Sequence, residues 1–192
     1  MNKKYFPALL LACVPCVSVA SEQLSYSYIE AGYSQTDFDG FDADGYALKG
    51  SFAIGDSFYG AIGFHQDELE PIITLEPWEL TAGYRKDISA NTDFIAEISY
   101  IGMNLEFFGD DYHNDGYRAA VGVRSAVHEH FELSAKAMFT SIQYMDSVVG
   151  VAIGAQYKFN GTWGIYADYQ FNEYNFDNVD VNSFQAGVRA SF

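Results

Sequence analysis

The sequence predicts an all-β fold, a single-chain antiparallel transmembrane β-barrel of ten strands, with eight as the alternative. Three observations carry the prediction. Ten segments of roughly ten to thirteen residues alternate apolar and polar side chains with period two, as strands with two unlike faces do. The connections between them alternate between short and long. Beyond residue 20 no apolar run approaches the ~20 residues that a membrane-spanning helix needs. Any span must therefore be built from strands that satisfy one another's backbone groups.

Residues 1–20 read as a cleavable signal peptide and residues 21–192 as the barrel. Lys3 and Lys4 supply a positive start, residues 5–17 a short apolar core broken by Pro7 and Pro15, and Ser18-Val19-Ala20 the small residues of a cleavage site. Leu10-Leu11-Ala12-Cys13 loosely matches a lipoprotein box, but a second bulky Leu stands directly before the small residue. Cys13 and Cys16 both leave with the leader, so the mature chain has no disulfide, thiolate metal site or cysteine nucleophile. Lys3 and Lys4 leave too, and 26 acidic residues then face 8 basic ones, a net charge of −18. That balance excludes nucleic acid as a partner, because its binding rests on neutralising phosphates with Lys and Arg. The aromatic content, 17%, excludes a disordered chain.

The segments follow one another with little ambiguity. The first, 24–35, ends at the acidic stretch 36–44, and the second occupies 45–54. Gly55-Asp56-Ser57 turns the chain into the third, 58–66. A longer connection, 67–75, leads to the fourth, 76–86, and a short one, 87–91, to the fifth, 92–103. The sixth, 116–126, follows the long stretch 104–115, and the seventh, 131–141, follows the short 127–130. Residues 142–146 break the rule by being short. The eighth segment, 147–158, is joined to the ninth, 162–171, through Asn160-Gly161, a strong tight-hairpin signal. The stretch 172–180 leads to the tenth, 181–192. Short turns on one side and long loops on the other is the organisation of a single-chain outer-membrane barrel, whose short side is periplasmic. An even strand number returns both termini to that side.

Alternation assigns two faces. In the tenth segment Phe184, Ala186, Val188, Ala190 and Phe192 oppose Gln185, Gly187, Arg189 and Ser191. In the sixth, Tyr117, Ala119, Val121 and Val123 oppose Arg118, Ala120, Gly122 and Arg124. In the eighth, Val149, Val151, Ile153, Ala155 and Tyr157 oppose Gly150, Ala152, Gly154 and Gln156. A sheet surface in water carries many charges. The polar face here is instead rich in small residues, Gly32, Gly63, Gly83, Gly122, Gly154 and Gly187 among them, which suits a narrow lumen. Tyr33, Phe64, Trp78, Tyr84, Phe94, Tyr100, Tyr117, Trp163 and Phe171 lie near the ends of the apolar face, as an interfacial girdle would.

The basic leader, the opening strand Tyr28-Ile29-Glu30-Ala31-Gly32-Tyr33 and the terminal Phe192 resemble the small outer-membrane β-barrel proteins of the OmpA/OmpX/OmpW type. The resemblance implies residence in the bacterial outer membrane, with lipid and lipopolysaccharide around the barrel. It also implies that Phe192, with apolar residues alternating before it, is the signal read by the barrel-assembly machinery. The best-known small members have eight strands, whereas ten segments are counted here.

Charge placement supplies the candidate functional residues. Lys49, Arg85, Arg118, Arg124, Lys136, Lys158 and Arg189 fall on the lumen parity, together with Glu30, Glu79, Glu97, Glu132 and Asp168. A Lys or Arg facing lipid at mid-depth costs about 2–4 kcal/mol, which drives these residues inward. They form either a selective constriction or an ion-pair network that fills a closed barrel. Asp37, Asp39, Asp42 and Asp44 crowd the first long connection, where they are candidates for divalent-cation binding without being an EF-hand. His65 with Asp67, and His113 with Asp110 and Asp111, have residue types found in barrel hydrolases. No Ser–His spacing supports a nucleophile and base, and the histidines are expected on exposed loops. Neither enzymatic activity nor a cofactor is expected. Two functions remain: a structural or surface-interaction barrel displaying acidic extracellular loops, or a narrow channel for ions or small polar solutes.

Overall fold

The computed structural model describes residues 24–38, 42–69, 73–107, 110–143, 147–174 and 179–192; the expected signal peptide lies outside them. Ten strands follow in chain order: β1 (Tyr28–Phe38), β2 (Asp42–Ile54), β3 (Phe58–Leu69), β4 (Ile73–Ser89), β5 (Thr92–Phe107), β6 (Asp110–His128), β7 (Phe131–Ile142), β8 (Val148–Lys158), β9 (Trp163–Tyr174) and β10 (Val179–Ser191). Each pairs antiparallel with its sequence neighbours, and β1 pairs with β10, so the sheet is a closed barrel. At that seam Glu30 faces Arg189 and Gly32 faces Gly187. Closure removes both sheet edges and leaves no unpaired ladder to template aggregation.

The outer wall is apolar. Ile98 and Val149 are 62% exposed and Ile153 60%, and Ile29, Ile62, Val121, Val151 and Val188 are exposed with them. A soluble monomer rarely leaves apolar patches beyond a few hundred Å² in water; this belt belongs in hydrocarbon. Two aromatic rims bound it. At the short-turn end Phe58 packs at a tilt against Tyr84 at 5.5 Å, and Tyr157 meets Phe159 edge-to-face at 5.6 Å. Trp78 meets Tyr100 at 5.5 Å towards the other end.

Three local expectations need correction. The first strand does not begin at Leu24. Its ladder starts at Tyr28, and residues 24–27 leave the wall and turn inside, where Leu24 and Tyr26 are buried. The long connections are mostly strand. Within the expected loop 104–115, residues 104–107 pair with 110–113 in a ladder where Asn104 faces His113 and Phe107 faces Asp110, giving β5 and β6 16 and 19 residues. A bilayer needs only ~9–11 residues per tilted strand, so β4, β5 and β6 extend beyond it as a wall. The backbone pairing of β5 and β6 continues through this stretch. Finally, Asn160-Gly161 is not a two-residue hairpin. The Asn160 carboxamide oxygen accepts from the backbone N–H groups of Thr162 (2.9 Å) and Trp163 (2.8 Å), holding a wider side-chain-capped loop. Gly55, at φ 62°, is the turn glycine that uses a left-handed conformation.

Candidate functional site

The lumen is where the chemistry-bearing side chains meet. Strand parity sends Glu30, Lys49, Glu79, Arg85, Glu97, Arg118, Arg124, Glu132, Lys136, Asp168 and Arg189 to the interior, as it does Asp67, Asp93 and Gln156. Glu30, Arg85, Arg124, Glu132 and Arg189 are buried outright.

Most of these charges are paired across the barrel. Arg189 Nε donates to Glu30 at 2.6 Å across the closing seam, and its Nη1 donates to Gln156 at 2.7 Å. Glu132 accepts from Arg124, with Lys158 Nζ at 3.3 Å and Arg189 Nη1 at 3.8 Å, so one carboxylate serves three cations. Lys136 Nζ grips both oxygens of Glu97 at 2.8 and 2.9 Å, and Tyr59 Oη donates to the same carboxylate at 2.6 Å. Arg118 spans from Glu79 (2.7 Å) to Thr140 (3.0 Å). Charges buried this way repay their desolvation only when their remaining hydrogen bonds are met, and shared partners meet most of them. Nearer the other end Asp67 accepts from Ser34 Oγ at 2.5 Å and, at 3.4 Å, from Thr36. Lys49 and Asp168 differ: among the described residues neither has an ion-pair partner within 4.0 Å, and both line a central cavity of about 190 Å³.

Tyrosines occupy much of the space that the inward glycines opened. A β-carbon at Gly83 would overlap the Tyr59 ring, and one at Gly32 would lie 2.6 Å from the Tyr166 hydroxyl. At Gly154 it would overlap the Asp168 carboxylate. These glycines seat larger side chains and so reduce the free lumen. Gly63, beside Lys49 in the β2–β3 register, faces open space.

At the short-turn end of the lumen lies a buried apolar cluster of Leu24, Tyr26, Tyr59, Ile95 and Ala126. Tyr26 is its centre. The guanidinium carbons of Arg85 and Arg124 each lie 4.6 Å from its ring centroid, its hydroxyl donates to Asp93 at 2.9 Å, and Ser51 Oγ donates to its carbonyl at 2.8 Å. Arg189 stands 4.1 Å from the Tyr28 ring in the same way. The inward tyrosines, Asp67 and Asp93 are lumen residues that the sequence alone did not assign. Parity could have found Tyr59, since the adjacent Phe58 points outward.

The histidines are not simply loop residues. His65 lies within β3, lines the cavity and is 3.2 Å from Gln185 Nε2. His113 lies in β6, exposed and bonded to Asn104 at 2.7 Å. Only His128 and His130 sit at a turn, the short one between β6 and β7. Asp37 and Asp42 face each other across the β1–β2 ladder, Asp44 accepts from Tyr33 Oη at 2.5 Å, and Asp39 lies outside the described residues. Phe192 follows β10 on the outer face, and its N–H donates to Ser27 C=O at 3.0 Å.

No family model matches the sequence and no curated protein is recognisably related to it. Solved structures share its fold. The NanC porin aligns with a TM-score of 0.57 at 15% identity over 86% of this chain and 100% of its own. The KdgM porin gives 0.47 at 12% identity over 85% and 99%. Neisserial surface protein A gives 0.45 at 19% identity over 88% and 98%. At 15% identity the likeness to the NanC porin is one of fold alone, a β-barrel.

Proposed function

We propose that this barrel, with the fold of small outer-membrane proteins and an apolar belt to match, is a compact envelope protein with a filled lumen. Its role is structural or surface-interacting, and it is neither an enzyme nor an open pore. One observation carries the reading: most of the inward charges are spent on one another, Glu132 alone holding three cations, and packed apolar and aromatic side chains occupy the short-turn end. On this reading the short-turn end is periplasmic. The extended β4–β6 wall and its acidic tips then stand outside the cell, towards lipopolysaccharide and divalent cations. The leader directs export, and the outward Phe192 serves the assembly machinery.

Planar-bilayer recording tests this. The purified protein is expected to be silent over a range of voltages. A second reading, a narrow channel for ions or small polar solutes, is favoured by Lys49 and Asp168, whose charges face the cavity unpaired among the described residues. Steady conductance that changes with Arg118→Ala or Glu97→Ala establishes that second reading instead.

A further inference from the structure

The segment before β1 does something that the barrel wall does not require. A first strand can simply end at the rim, yet residues 24–27 turn inward and bury Leu24 and Tyr26 to 5% and 3% exposure. They add no strand there. Their hold on the barrel is mainly through side chains: the Tyr26 hydroxyl on Asp93, its ring between Arg85 and Arg124, and the Ser51 hydroxyl on its carbonyl. Ser27 alone keeps ladder-like contact with the wall, through Phe192 N–H and through its Oγ to Ala53 N–H at 3.1 Å. A segment outside the ladder can open locally without unzipping the sheet, at the cost of the contacts that hold it.

Tyr26 and Tyr59 belong both to this apolar floor and to the lining of the cavity above it. The floor is therefore the layer between a charged lumen and the solvent at the short-turn end. Apolar constrictions of this kind stop ions by excluding water. The groups that clamp Tyr26 are Arg85, Arg124 and Asp93, all buried. With Tyr26 gone they become the rim of the mouth, and an apolar seal turns into a charged, wettable entrance.

We propose that residues 24–27 are a stopper, and that its withdrawal opens the lumen at the short-turn end and gives the barrel a latent permeability to small ions. This rests on the filled-lumen reading and deepens it. The stopper closes one end, and the central cavity with Lys49 and Asp168 is the compartment it guards.

Thiol accessibility tests the proposal. Gly63→Cys places a sulfur in the cavity lining, where a β-carbon meets open space. The protein in detergent is treated with a small ammonium-bearing methanethiosulfonate, and the chain without the added cysteine is measured alongside to subtract Cys13 and Cys16. Leu24→Ala with Tyr26→Ala is expected to label about tenfold faster than Gly63→Cys alone, following the larger open population. Tyr26→Phe keeps the ring and the fold but loses the bond to Asp93, and is expected to fall between them. Equal rates in all three proteins, each retaining SDS resistance before heating, overturn the stopper. Steady conductance of the unsubstituted protein overturns the filled-lumen reading itself. A silent parent with unaltered labelling in the variants overturns the stopper alone.

Discussion

Glu132 shows how a single side chain can tie several strands together. It projects from β7, is 4% exposed, and draws Arg124 from β6, Lys158 from β8 and Arg189 from β10 towards one carboxylate. Its removal leaves those cations without their shared counter-charge in a place that water scarcely enters. Glu132→Gln is therefore expected to cost about 3–5 kcal/mol, the scale for breaking a buried ion pair from one side. Urea unfolding in lipid vesicles measures it. Gly83 makes the complementary case for volume. A methyl at that position collides with the Tyr59 ring, so Gly83→Ala is expected to cost about 1–3 kcal/mol as overpacking. Pairing it with Tyr59→Ala in a double-mutant cycle should show strong coupling, since the second change removes the atom in the way. Additive effects would mean that the ring simply moves aside.

Strands add a constraint that no single residue carries. Parity makes each of them choose between lipid and lumen at every position, and β5 is a clear example: Ile98 is 62% exposed while its neighbours Glu97 and Ser99 turn inward. Ile98→Arg at mid-strand is expected to lower stability by about 2–4 kcal/mol, the cost of a guanidinium facing lipid near the bilayer centre. The same substitution at Val127, in the exposed end of β6 by the short turn, should cost far less, and comparing the two unfolding curves locates the hydrocarbon layer. The strand extensions at the long-connection end obey a different rule. Residues 104–107 pair with 110–113, an antiparallel ladder beyond the length that the bilayer asks for.

At the level of the whole molecule, closure decides behaviour. Ten paired strands without an edge must come apart together, so the folded protein should resist SDS until boiled and then change its electrophoretic mobility. A detergent-free, water-soluble monomer would contradict the membrane barrel. Most of this architecture was legible in the chain. Period-two alternation located all ten strands, and the cost of burying Lys or Arg in lipid sent Arg118, Lys136 and Arg189 inward before any coordinates. Strand ends were less legible. Alternation marks a strand only where residue types differ between its two faces, so 104–107 and 110–115 read as loop although their backbone is paired. Tyr26 was hidden for another reason. Its parity is that of a lumen residue, but parity does not say that the chain has left the wall.

By itself the sequence determined the fold class, located ten strands with eight as the alternative count, put charges such as Arg118, Lys136 and Arg189 on the inner face, and left no cysteine beyond residue 20. Each of these depends on local alternation or on residue type, which need no knowledge of distant partners. Tertiary structure decided which charges neutralise one another, that Gly32 and Gly83 make room for tyrosines, and that Leu24 and Tyr26 turn into the barrel. Those outcomes depend on which side chains meet across the barrel. Glu30 and Arg189 are 159 positions apart and touch only because β1 closes on β10.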